Sequence, residues 1–197
     1  MRNIPAMIFN EDTTSLIPLS VNTRPARNLS LSDREQEALQ FISGLSEDYP
    51  DIQSWYVSKV VPGLRTGTRF LLPIHRDGEL VAVGIAKNDG FERKICTVRV
   101  APYHAGRGLG LRVFDGLLKW LDDDHPGLTV SATKLPAFER IFDWYRFRLT
   151  GVESGLYVPG RQEIGYNDAI FAKKDGQNKV LEPVHDRNLI ASPKSVP

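Results

Sequence analysis

From Val100 to Gly110 the chain reads Val-Ala-Pro-Tyr-His-Ala-Gly-Arg-Gly-Leu-Gly, an apolar strand that runs into a turn with glycines at alternate positions. An amphipathic segment follows at once over residues 107–122. Leu109, Val113, Phe114, Leu117, Leu118 and Leu121 fall on one helical face, and Arg112, Asp115, Lys119 and Asp122 on the other. Glycine lets the backbone turn left-handed and come close to a ligand, and the first N–H groups of a helix have no partner within it. A strand, a glycine turn and a helix start joined in this way offer a seat for an anion such as phosphate. The same spacing also serves as a bare connector, so by itself it leaves both readings open.

Around this unit the chain alternates strand and helix signals. Ser32 and Glu35 have capping-box spacing, followed by Ala38, Leu39, Phe41, Ile42 and Leu45 at helical intervals, which predicts a helix over residues 33–45. Residues 51–60 read as a second short helix carrying Trp55 and Tyr56. Asp77-Gly78 between the apolar runs 70–74 and 80–86 is a strong hairpin cue, and residues 94–100 make a third strand of a meander. Beyond the amphipathic helix, residues 128–133 read as a strand, 137–147 as a helix, and 154–158 and 166–173 as two last strands. A strand, helix, strand succession predicts that the strands at 94–100 and 128–133 are parallel neighbours. Residues 6–9 fit an edge strand.

With 197 residues the chain is the size of one domain with extra length at its ends, and 25 Lys+Arg against 24 Asp+Glu give no field that would mark a nucleic-acid binder. Nucleic acid is therefore an unlikely partner. No window approaches the length of a membrane span, and the sole cysteine, Cys96, excludes an intrachain disulfide and a multi-thiolate zinc site. These features suit a cytoplasmic protein. Asp122-Asp123-Asp124-His125 has metal-ligand residue types, but acids at a helix C-terminus normally face water, so no metal is expected.

Val100, Pro102, Gly108 and Gly110 stand in register with the Val-x-Pro…Gly-x-Gly signature that opens the long helix of the GNAT superfamily of acyl-CoA-dependent N-acetyltransferases, which this sequence resembles. The segment Ile141-Phe142-Asp143-Trp144-Tyr145-Arg146-Phe147 is similar to that family's Leu-Tyr-Glu-Lys-Leu-Gly-Phe. The resemblance implies an α/β fold: a mixed, mostly antiparallel twisted sheet with a central splayed parallel pair and flanking helices. It implies one domain over residues 1–175, with a variable part at 1–68, a motif-bearing core at 69–175, and a polar tail at 176–197. It further implies acetyl-CoA as co-substrate. The backbone of Val98, Arg99 and Val100 would hold the pantetheine like an added strand, and Ala105, Gly106, Arg107, Gly108, Leu109 and Gly110 the pyrophosphate. The N–H of Val98 would face the oxyanion.

Two positions depart from the family pattern. Ala105 stands where an Arg or Gln is usual, and Phe142 where a tyrosine often protonates the departing thiolate. Tyr145, one helical turn on, is the substitute acid candidate. Glu92 and Glu79 are the candidate bases, and Thr133 at a strand end is placed to orient an amine. The expected activity is acetyl transfer to a primary amine of a small molecule or protein, with a homodimer possible. The alternatives are a catalytically silent acyl-CoA-binding module, favoured by the two departures, and an acetyltransferase toxin acting on aminoacyl-tRNA.

Overall fold

The computed structural model describes residues 30–167 and residue 169. The description concerns the unit Leu31–Pro197. The expected edge strand at residues 6–9, most of the expected strand at 166–173, and the tail at 176–197 lie outside the described residues.

Helix α1 (Asp33–Ile42) starts where the capping box predicts: the Ser32 side chain accepts from the Glu35 N–H, and Glu35 accepts from the Ser32 N–H at 2.8 Å. A 3₁₀ turn at Ser43–Leu45 ends it. The second helix is longer than expected, because α2 (Ile52–Trp55) passes through a π-turn (Tyr56–Val60) into α3 (Val61–Thr66). Pro62 lacks an N–H and its ring would strike the carbonyl four residues back, so the wider turn just before it accommodates the proline without ending the helix.

Six strands form one sheet in the order β1-β2-β3-β4-β6-β5. Strands β1 (Arg69–Arg76), β2 (Glu79–Asn88) and β3 (Arg93–Val100) make the expected antiparallel meander. The first hairpin closes through Asp77 and Gly78, both at positive φ (52° and 81°), the conformation that Asp-Gly tolerates best. Strand β2 is buried along most of its length because helices cover both faces, which explains its unbroken apolar run. On one face α1, α2 and α3 pack through Ile42, Tyr56, Val60 and Val61 onto Leu71, Val83 and Ile85. On the other, α4 (Leu109–Leu121) lays Val113, Phe114, Leu117 and Leu121 against Val81, Ala82, Ala86 and Ile95.

Strand β4 (Gly127–Ser131) pairs parallel with β3, as the strand, helix, strand order requires. The expected helix at 137–147 is a 3₁₀ turn (Leu135–Ala137) followed by the short α5 (Glu139–Trp144), which ends before Arg146 at φ 56°. The last two strands stand earlier than predicted, at β5 (Leu149–Ser154) and β6 (Gln162–Tyr166), with β6 inserted between β4 and β5. Leu156, Tyr157 and Val158, read as strand from their apolar character, form the connecting turn instead. Gly155 and Gly160, both at positive φ, bracket that turn.

Candidate active site

The parallel pairing of β3 and β4 consists of two residue pairs, Lys94↔Gly127 and Ile95↔Leu128. Immediately afterwards the β2–β3 register slips: Ile95 faces Ala86 and Thr97 faces Ile85, so Cys96 is an extra residue in β3. A bulge bends its strand and increases the local twist. Beyond it β3 stays on β2 while β4 stays on β6, and the two strands splay. Val98, Arg99 and Val100 therefore line an edge whose outward backbone groups have no strand to pair with. An extended chain of amides fits such an edge as an added strand does. The Arg99 side chain leaves on the α1 face, its guanidinium 5.0 Å from the Phe41 ring and bonded to the Phe41 carbonyl, so its backbone is what it offers the splay.

At the open end of the splay the chain makes a 3₁₀ turn (Pro102–His104) and then passes through Gly106 and Gly108, both left-handed at φ 72° and 76°. Gly108 is the N-cap of α4, and the first intrahelical bond runs from Arg112 N–H to Gly108 O at 3.1 Å. The N–H groups from Gly106 to Leu111 thus have no backbone acceptor among the described residues. Ala105, Gly106, Arg107 and Gly108 are exposed, while Leu109 is buried and anchors the turn to the core. Gly110 has a different reason to be glycine: a Cβ there would come within 3.0 Å of Ile141 Cδ1, so α5 packs close against the start of α4. Unpartnered donors at the positive end of a 13-residue helix suit a pyrophosphate. Together with the open edge of β3, they fit the acyl-CoA expected from the sequence.

Tyr145 and Glu92 do not reach the glycine turn. The Tyr145 hydroxyl donates to Asp115 Oδ1 at 2.5 Å, and its ring packs on Phe114 and Phe147. Burial and that carboxylate raise its pKa above the ordinary tyrosine range. Asp115 lies seven residues beyond the N-cap of α4, about 10 Å along the helix, so Tyr145 ties α5 to the middle of α4 rather than reaching the turn. Phe142, at the family's usual tyrosine position, is buried in the same aromatic cluster. Glu92 sits at the β2–β3 turn, the opposite end of β3 from the glycines, roughly 25 Å away at strand rise. Its carboxylate holds Lys87 at 2.7 Å. Glu79 is exposed at the start of β2, next to the β1–β2 hairpin turn and three residues before Ala82, which faces Val100. Thr133 follows β4 on the side of the splay, with its hydroxyl directed to Asp48 at 3.4 Å. Of the acids at 122–124, Asp123 accepts the His125 N–H at its Oδ1, while Asp122 accepts from the Arg93 side chain through its backbone carbonyl. Cys96 is packed beside Arg69 at 3.3 Å, in keeping with a structural role.

A cluster that sequence reasoning missed occupies the sheet face opposite α4. Glu163 of β6 lies beside Ser131 of β4 in the register, is 4% exposed, and accepts from the Tyr49 hydroxyl at 3.2 Å. Tyr49 meets Tyr157 edge-on at 5.0 Å, so two chain segments converge over one carboxylate. Burial, aided by Asp48, pushes the Glu163 pKa up to about 7, against the opposing influence of Thr129, Tyr49 and Lys94. Asp48 binds Arg161 at 2.6 Å and Lys134 at 3.2 Å, pinning the loop before α2 to the end of β4 and the start of β6. The available signal was a single acid among Ile164, Gly165 and Tyr166. Placing the strand at 166–173 hid it.

The acetyltransferase (GNAT) family profile matches residues 31–146, more than half of the chain. The protein belongs to the GNAT acetyltransferase family. A putative GNAT acetyltransferase from Desulfovibrio desulfuricans superposes with a TM-score of 0.56 at 14% identity, covering 69% of this chain and 92% of that one. Lower similarity is found to a GNAT acetyltransferase from Elizabethkingia anophelis with acetyl-CoA bound (TM-score 0.44, 14% identity, covering 55% and 81%). It is also found to the ribosomal-protein-S18-alanine N-acetyltransferase of Escherichia coli (TM-score 0.45, 16% identity, covering 54% and 74%). No curated protein matches. Among the described residues no helix is long and apolar enough to cross a membrane, and no three or more His, Cys, Asp or Glu side chains converge to hold a metal.

Proposed function

We propose that the protein transfers the acetyl group of acetyl-CoA to a primary amine of a small molecule or protein. The observation that carries this reading is the coincidence of two features: the β3–β4 pairing stops at the Cys96 bulge, and the open edge leads directly into the left-handed Gly106 and Gly108. One extended ligand with amides in its arm and a pyrophosphate at its end satisfies both.

On this reading the backbone of Val98, Arg99 and Val100 aligns the pantetheine, and the N–H groups from Gly106 to Gly110 take the pyrophosphate. The thioester then lies in the splay near the bulge. Holding an amine against the thioester carbonyl supplies much of the rate by proximity, provided the amine arrives neutral. A thiol of pKa near 8.5 is a tolerable leaving group as its anion, so transfer does not demand a side-chain acid at the Phe142 position.

The silent acyl-CoA-binding module is a second reading, favoured by the absence of a free phenol at Phe142 and by the commitment of Tyr145 to Asp115. Thiol release from acetyl-CoA in the presence of spermidine, kanamycin, free lysine, an alanyl peptide or aminoacyl-tRNA separates the two. Amine-dependent release above the enzyme-free rate is expected. Binding without release from any of them would favour the module.

A further inference from the structure

We propose that Tyr49 and Glu163 form the relay that removes the proton of the acceptor ammonium, a step that rests on the acetyl-transfer reading. Glu163 is buried, yet among the described residues no Lys or Arg forms an ion pair with it. Lys94 acts on it without forming an ion pair, and Lys134 and Arg161 are both held by Asp48. A buried carboxylate without a cation is costly to keep ionised, and a carboxylate kept for structure alone would be paired or replaced. Its raised pKa, about 7, makes it an acceptor of protons near neutral pH.

The groups that face it are Asp48 and Tyr49 from the loop before α2, Lys94 from β3, Thr129 and Ser131 from β4, Glu153 from β5 and Tyr157 from the β5–β6 turn. Of these, Tyr49 has its hydroxyl on Glu163, and Glu163 faces Ser131, which lies beyond the last β3–β4 pair on the splayed part of β4. Burial and the carboxylate keep its phenol protonated well past neutrality.

In the step, the Tyr49 O–H gives its proton to Glu163 Oε1 and takes one from the ammonium nitrogen. The freed nitrogen lone pair forms the C–N bond to the thioester carbon, the C–S bond breaks, and sulfur leaves as the thiolate with the electron pair. The second nitrogen proton departs to water as the amide forms.

The test uses the full chain, acetyl-CoA and whichever of spermidine, kanamycin, lysine or an alanyl peptide gives the fastest thiol release. Rates from pH 6 to 9 are compared for the wild type, Glu163→Gln, Tyr49→Phe and Glu163→Asp. Glu163→Gln keeps shape and the Tyr49 contact, and equal acetyl-CoA affinity by calorimetry reports an intact fold. The relay requires a kcat loss of roughly 10²-fold or more in Glu163→Gln and Tyr49→Phe, loss of the limb near pH 7, and partial recovery in Glu163→Asp. Wild-type kcat with an unchanged pH profile in either of the first two variants overturns the relay alone. A wild type that binds acetyl-CoA but releases thiol with none of the amines overturns the relay and the acetyl-transfer reading together.

Discussion

Tyr145 shows how a residue's partner decides its role. Its sequence position, one helical turn from the usual tyrosine, suggests a substitute acid, but the hydroxyl is bonded to Asp115 and the ring belongs to the cluster of Phe114, Phe142 and Phe147. Tyr145→Phe is therefore expected to leave kcat within a few-fold of wild type and to cost about 1 kcal/mol of stability, the usual net worth of one hydrogen bond, as read by urea denaturation. A 10²-fold fall in kcat at unchanged stability would restore the acid role. Ser32 makes the opposite case, since its local signal was read correctly. Because it caps α1 and orients Glu35 toward Arg65, Ser32→Ala is expected to lower stability by about 1 kcal/mol, measured in the same denaturation series.

At the scale of elements, the α4–β2 contact sets the distance between helix and sheet. A Cβ on Gly84 would meet Val113 Cγ1 at 2.6 Å and Leu117 Cδ1 at 3.0 Å, so the helix rests directly on the strand backbone. Gly84→Ala should destabilise by about 1–3 kcal/mol, as overpacking of a core does, and thermal melting checks it. The elements most legible in the sequence were those with local punctuation: the capping box before α1, Asp77-Gly78 between β1 and β2, and the alternating Gly106, Gly108 and Gly110 at the start of α4. Strands β5 and β6 were displaced because Leu156, Tyr157 and Val158 look like a strand core while the glycines flanking them turn the chain. The cofactor seat depends on backbone geometry that glycines announce. The Tyr49–Glu163 pair depends on a contact between residues 114 positions apart, which no periodicity within a segment reports.

For the molecule as a whole, two buried carboxylates respond oppositely to pH. Burial alone would raise the Glu35 pKa, but Arg65 and Ser32 bring it below the ordinary value, so its contribution is present at neutral pH and lost as pH falls through that lowered pKa. Glu163, at about 7 against a usual 4.5, binds its proton more tightly in the folded than in the unfolded chain. Folding is then favoured at low pH, and this contribution declines as pH rises from the ordinary carboxylate value to about 7. Glu163→Gln removes that decline. Its unfolding free energy is expected to exceed the wild type's at pH 8 by an amount on the order of 3 kcal/mol and to converge with it near pH 4, as read by denaturation at the two pH values. The central claim, that the glycine turn and the splayed strands seat acetyl-CoA, is tested most directly by calorimetric titration of acetyl-CoA into the wild type and Gly108→Asp. Nothing lies within 4 Å of the Cβ position, and an aspartate in the left-handed backbone at φ 76° costs about 1–2 kcal/mol, so the fold should survive at lower stability while a negative charge enters the pyrophosphate seat. The account predicts saturable one-to-one binding by the wild type and at least a 10²-fold weaker association, or none, in a variant with an unchanged circular dichroism spectrum. Equal affinity in the two proteins, or no binding by the wild type, would contradict it.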